Sequence, residues 1–180
     1  MNVEGNPIPA FLDLVFEVIP HQCTLVPDPP DALTSSFGWD LEIRSAELKP
    51  VVRDLQSSGI RVSLFMDADV VQIQRAAATG SDRIELYTES YARAYSSANA
   101  DSVLKQYVAA ARAAQRLGVG VNAGHDFNLE NLGAFCRAIP NLLEVSIGHA
   151  LISRALEVGL ERVVQEYIDL LESSSTPVQV

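Results

Sequence analysis

The 180-residue sequence predicts an α/β fold with a wrapped parallel sheet, and three observations carry that expectation. Short β-rich apolar segments alternate with longer segments of helical period, the rhythm of successive βα units. Several short segments are apolar at consecutive positions, as in Val62-Ser63-Leu64-Phe65-Met66, a pattern that fits strands covered by helices better than half-exposed antiparallel ones. Gly59, Gly80 and Gly118 each fall just after a helical stretch and just before a strand, at the C′ position where glycine ends a helix.

Taken in order, the strand segments are Met1 to Gly5, Gln22 to Val26, Ile60 to Met66, Arg83 to Thr88, Val119 to Ala123 and Leu142 to Ile147. Among the helices, Leu104, Tyr107, Val108 and Ala111 recur at three and four, as do Leu132, Phe135, Cys136 and Ile139. The last helix carries the stripe Leu160, Val163, Val164, Tyr167, Ile168 and Leu171, and the Ser/Thr/Pro run from Ser173 ends it in a mobile tail over 173–180. Pro50 lies inside Leu48 to Leu55, so a helix is expected to begin near it, with Asp40 to Glu47 forming a separate turn. No linker divides the chain, which reads as one domain over residues 1–180. Six βα units in series suit either an open doubly wound sheet or part of a (β/α)8 barrel of about 250 residues. The difference is roughly two βα units, and a strand pattern is already under way at Met1, so a barrel shortened at its front is the expectation.

Composition narrows the function classes. With 48% hydrophobic and 20% charged residues the chain can build a core, while its uncharged apolar runs, such as Ile8 to Leu12, fall far short of the roughly 20 residues of a spanning helix. No basic segment followed by an apolar stretch opens the chain, which places it in the cytoplasm and off the membrane. Cys23 and Cys136 lie 113 positions apart and read as buried, reduced packing residues. A net charge of -10 opposes nucleic acid as a partner.

Parallel sheets bind ligands at the carboxyl ends of their strands, so polar residues there carry the most weight. Glu4 and His125 are the best carboxylate and imidazole pair for proton transfer beside a carbonyl or imine; the simpler reading, which spacing alone favours, is a solvated carboxylate and a satisfied loop histidine. Glu85, in Ile84-Glu85-Leu86, alternates away from its apolar neighbours into a barrel interior, either as a functional acid or as a core hydrogen-bonding group. Gly148-His149 opens a helix after the last strand and suits a phosphate held by backbone N–H groups, or else only a tight turn and a cap. Thr34 lies in the long loop after the second strand. Asp67 and Asp69 could bind a cation through oxygen ligands, although capping of the helix that carries Val70, Ile73 and Ala77 is the simpler reading. His21, at a strand start, is structural.

Assembled in order, Asn2-Val3-Glu4-Gly5, Leu25-Val26-Pro27, Val62 to Asp69, Ile84-Glu85-Leu86-Tyr87-Thr88 with Tyr91-Ala92, Val121 to Asp126 and Ile147 to Ile152 resemble the pyridoxine 5′-phosphate synthase family over nearly all 180 residues. The resemblance implies a (β/α)8 barrel, oligomeric and octameric in the family, that condenses 1-deoxy-D-xylulose 5-phosphate with 3-amino-2-oxopropyl phosphate without metal or cofactor. It implies a proton-accepting role for Glu4, a proton-donating role for His125 and transition-state stabilisation by Glu85. Thr34 would contact the deoxyxylulose phosphate, while Asp126, by its backbone, and Gly148 with His149 would hold the aminoketone phosphate. Two positions depart from the pattern. Asp126 stands where some relatives carry glycine, and Tyr87 where histidine is frequent. The family's first two βα units, which supply a second base and much of the deoxyxylulose phosphate site, have no counterpart, so the 180-residue chain is expected to make no product by itself. The rival readings are a noncatalytic oligomerising or binding protein derived from the same barrel, and an unrelated phosphosugar isomerase, which the Asn-Ala-Gly-His and Ile-Gly-His segments disfavour.

Overall fold

Residues 1–29 and 31–174 are described by a computed structural model. The chain runs β1 (Asn2–Gly5), α1 (Pro9–Val18), β2 (Gln22–Leu25), α2 (Leu41–Ser57), β3 (Arg61–Met66), α3 (Val70–Ala77) and β4 (Arg83–Tyr87). It continues through α4 (Glu89–Ala94), α5 (Ala100–Arg116), β5 (Gly120–His125), α6 (Leu132–Ala138), β6 (Leu142–Ile147), α7 (His149–Val158) and α8 (Leu160–Ser174). All six strands pair in parallel and in sequence order, β1 through β6, in one sheet. The register sets Glu4 beside Thr24, Phe65 beside Glu85, and Glu85 beside Asn122.

Alternation along the strands separates two kinds of surface. Cys23, Leu25, Val62, Leu64, Met66, Ile84, Leu86, Val121 and Ala123 point outward into the apolar core beneath the helices. Thr24, Ser63, Glu85 and Asn122 point the other way and are buried as well. The inner face is mixed rather than apolar throughout: in Val62-Ser63-Leu64-Phe65 both Ser63 and Phe65 have the inward parity, Phe65 beside Glu85. Side chains from strands that are not neighbours meet across it. Thr24 of β2 donates to Glu85 of β4 at 3.4 Å, and Arg61 of β3 lies 3.6 Å from Glu144 of β6. Such contacts require a sheet curled about its inner face, the geometry of a partial (β/α)8 barrel. At the amino end of that face Arg83 joins Glu144 at 2.7 Å and Asn122 at 3.0 Å, while Arg61 donates to Gln22 at 2.8 Å. This network fills the floor and leaves the carboxyl ends of the strands as the open mouth.

Gly59, Gly80 and Gly118 have φ of 78°, 88° and 74°, the left-handed conformation their position requires. Three expectations are corrected. First, α2 is one helix from Leu41 to Ser57 with Pro50 inside it, capped by Asp40, which accepts from the Glu42 N–H at 3.0 Å. Pro50 and Ala46, whose carbonyl loses its i+4 donor, both lie on the solvent face, and the buried stripe Leu41, Leu48, Val52 and Leu55 runs through the break. Packing thus overrides the proline. Second, α8 continues through Ser173 to Ser174, which is buried and accepts from Arg137 at 3.4 Å; the remainder of the expected tail, 175–180, lies outside the described residues. Third, Cys23 is fully buried while Cys136 is only partly so, and both are free thiols. Among the described residues no helix is long and apolar enough to cross a membrane.

Candidate functional site

The mouth is built from strand ends and the loops that leave them. β1 delivers Glu4 and turns at Gly5, where a Cβ would collide with the Phe11 ring of α1. β4 delivers Glu85 one layer deeper. β5 ends at His125, and Gly148 caps α7 directly after β6. Glu4, Glu85, His125, Ser146, Gly148 and His149 line one open cleft of about 370 Å3. A neighbouring cleft of about 450 Å3 is lined by Glu4, Asp28 and Thr34, with Ile8 and Phe11 as its apolar wall. Glu4 borders both.

Glu85 is 2% exposed. Burial is the main reason its carboxyl is pushed up to about 7, and the Glu4 charge adds to the rise, while hydrogen bonds from Ser146 and Thr24 act against it. Gly124 permits this packing, since a Cβ there would lie 2.5 Å from the Glu85 Oε1 and 2.7 Å from the Ser146 Cβ. Glu4 faces the open cleft along one side, yet the protein around its carboxylate, and after it the charge of Asp28, raises its pKa. Both carboxyls therefore hold their protons to higher pH than free side chains do.

His125 sits at φ 95°, a backbone conformation that side-chain-bearing residues rarely adopt. Thr88 holds it there from both sides. Its hydroxyl donates to the Gly124 carbonyl at 2.6 Å and accepts from the Asp126 N–H at 3.2 Å, and the Thr88 N–H donates to Gly124 at 3.1 Å. The ring is then contacted at both nitrogens, Nδ1 by Asp126 Oδ2 at 2.8 Å and Nε2 by Thr34 Oγ1 at 2.7 Å. Tyr87 stands edge-on at 5.3 Å and the His149 ring at 6.0 Å. The structure thus brings Glu4, Glu85, His125, Gly148 and His149 around one space, with Thr34 reaching over from the second cleft. Asp126 is adjacent, but its N–H, expected to face a phosphate, donates here to Thr88.

Asp69 caps α3, accepting from Val71 at 2.7 Å and Gln72 at 3.0 Å, and Asp67 accepts from Gly38 at 3.1 Å. Among the described residues no group of three or more His, Cys, Asp and Glu converges as metal ligands do.

The sequence matches the family model described as pyridoxal phosphate biosynthesis protein PdxJ over residues 1–173. The chain belongs to this family. Curated relatives named pyridoxine 5′-phosphate synthase include one from Bacteroides fragilis, 53% identical over 170 residues that cover 94% of this chain and 71% of the relative. The relative from Christiangramia forsetii is 51% identical over 95% of this chain and 72% of its own length, and that from Albidiferax ferrireducens 46% identical over 93% and 68%. Among solved structures, a GMP reductase from Trypanosoma brucei shares the fold at a TM-score of 0.53 and 11% identity, over 95% of this chain and 43% of that one. A BexX/CysO complex from Amycolatopsis orientalis gives 0.51 at 10% identity, over 94% and 64%. Identities this low speak for the fold alone.

Two residues of the site, Asp28 and Ser146, were not singled out from the sequence. Asp28, 8% exposed, accepts from the Ser36 N–H at 3.3 Å and lines the cleft it shares with Glu4. Its place two residues beyond the end of Val26 was a legible signal. Ser146 occupies the inward parity of β6, visible once Glu144 is placed inward. The clamp by Thr88 depends on the positive φ at His125, which no residue pattern announces.

Proposed function

We propose that this chain carries, in Glu4, Glu85 and His125, part of the site with which pyridoxine 5′-phosphate synthase condenses 3-amino-2-oxopropyl phosphate and 1-deoxy-D-xylulose 5-phosphate to pyridoxine 5′-phosphate. The observation that carries this reading is the convergence of Glu4, Glu85 and His125 on one cleft whose rim is the glycine-led start of α7. In it Glu4 accepts a proton from carbon next to a carbonyl or imine, the kind of step that a raised carboxylate pKa favours. His125 returns a proton to a departing oxygen. Glu85, with a pKa pushed up to about 7, can present either a hydrogen-bond donor or a charge to the intermediate near neutral pH. The N–H groups that open α7 at Gly148 and His149 receive the aminoketone phosphate, because unpaired helix-start donors and the helix dipole favour an anion. Thr34 faces the deoxyxylulose phosphate.

The test follows pyridoxine 5′-phosphate from both phosphorylated substrates: the 180-residue chain is expected to form none by itself, and a fusion carrying two further βα units ahead of Met1 is expected to form it. In that fusion Glu4→Gln and His125→Asn are each expected to lower turnover about 10²- to 10⁴-fold. Wild-type rates in both variants would overturn the assignment. Binding is read separately by titrating inorganic phosphate while following amide shifts: Gly148 and His149 should respond, and silence there while other amides move would remove the phosphate role.

A further inference from the structure

We propose that the Asp126 carboxylate is a positioning residue that fixes His125 as the Nδ1–H tautomer, leaving Nε2 as the lone-pair nitrogen that faces Thr34 and exchanges the proton. This deepens the reading of His125 as the proton-transfer group and rests on it. It concerns a side chain whose resemblance-based role was limited to its backbone.

Each ring nitrogen has a polar partner at hydrogen-bonding distance, Asp126 Oδ2 at 2.8 Å from Nδ1 and Thr34 Oγ1 at 2.7 Å from Nε2. A neutral imidazole has one N–H and one lone pair, and an ionised carboxylate only accepts. The proton of the neutral ring therefore belongs on Nδ1, donated to Asp126. The Thr34 hydroxyl, which can donate or accept, completes the pattern by donating to Nε2. In the opposite tautomer the Nδ1 lone pair would face a carboxylate oxygen at 2.8 Å with no proton between them, while Thr34 would accept. Only the first arrangement satisfies all three groups.

The backbone makes this possible between residues adjacent in sequence. At a strand end, neighbouring side chains point to opposite faces. The φ of 95° at His125 breaks that alternation, and Thr88 fixes the peptides on either side of the turn. The carboxylate is thereby folded back onto the ring that precedes it. When Nε2 takes up a proton, the resulting imidazolium already holds a charge-assisted hydrogen bond to Asp126, and no rotation is required before the proton is passed on. Base, orienting acid and hydroxyl stand in the order common to sites that activate one chosen nitrogen.

The experiment reads the ring nitrogens directly. The full 180-residue chain labelled with ¹⁵N is recorded by long-range ¹H–¹⁵N correlation at about pH 8, where unperturbed histidines are neutral. It contains three histidines, and His125→Asn assigns the His125 signals by their loss. The expected wild-type spectrum shows His125 protonated at Nδ1, and Asp126→Asn and Asp126→Ala each move that proton to Nε2, with thermal unfolding unchanged. A wild-type ring protonated at Nε2, or a tautomer unaltered by both substitutions, overturns the proposal. In the active fusion with two further βα units, Asp126→Asn is expected to lower kcat while leaving KM in place, the mark of an interaction used in the chemical step. The two levels fail separately: full activity in His125→Asn would remove the catalytic reading and leave the tautomer intact. An Nε2–H ring in an enzyme that needs His125 would remove the role of Asp126 alone.

Discussion

Glu85 couples the chemistry of the cleft to the stability of the protein. Its folded pKa of about 7 lies above its ordinary 4.5, so between these values the folded chain keeps a proton that the unfolded chain has released. Stability therefore falls as pH rises through that window, and the loss is complete above it, on the order of 3 kcal/mol for a rise of this size. Glu85→Gln should lack this slope, so thermal or urea unfolding followed from pH 4.5 to 8 is expected to show its advantage over the wild type growing with pH. A constant difference would show that the folded chain holds no extra proton at Glu85 over this window. Gly124→Ala is expected to destabilise by about 1–3 kcal/mol, as overpacking against Glu85 and Ser146 does, with denaturant midpoints as the measure. Both acids were readable in the sequence because each stands at an inward or terminal strand position. The inward direction of Glu85 was legible too, but how closely it is packed follows from the curl of the sheet and from a glycine on the next strand, neither of which Ile84-Glu85-Leu86 encodes.

At the scale of elements, α2 shows packing prevailing over local preference. A proline inside a helix costs about 3 kcal/mol relative to alanine, yet the buried stripe Leu41, Leu48, Val52 and Leu55 keeps the helix continuous. Pro50→Ala is expected to raise stability by about 1–3 kcal/mol, less than the full helix penalty because the unfolded chain regains freedom as well. A loss of stability would mean that the proline itself packs. Asp69→Ala removes the two hydrogen bonds that start α3 and is expected to cost about 1 kcal/mol by chemical denaturation. Strand order was legible because each βα unit announces itself by a change of period. The run through Pro50 was not, since the helical spacing on its two sides is joined only by what lies underneath.

Over the whole molecule, each strand from β2 to β5 is paired on both sides, whereas β1 and β6 are each paired on one side among the described residues. α1 exposes Leu14, Phe16 and Val18 beside the first edge, and Leu143 is exposed at the second. Unpaired strand edges flanked by apolar surface invite pairing with another chain. The 180-residue chain is therefore expected to self-associate, its mass by light scattering rising with concentration; a strictly monomeric species across the accessible range would count against this. The left-handed backbone at His125 bears on the molecule in a different way. A residue held there is under conformational strain of about 1–3 kcal/mol, which glycine would relieve. His125→Gly should therefore yield a chain that melts no lower than the wild type while losing the imidazole proposed as its proton donor. Thermal robustness alone would favour glycine here, so the histidine costs the fold stability at the very position where the proposed chemistry needs an imidazole.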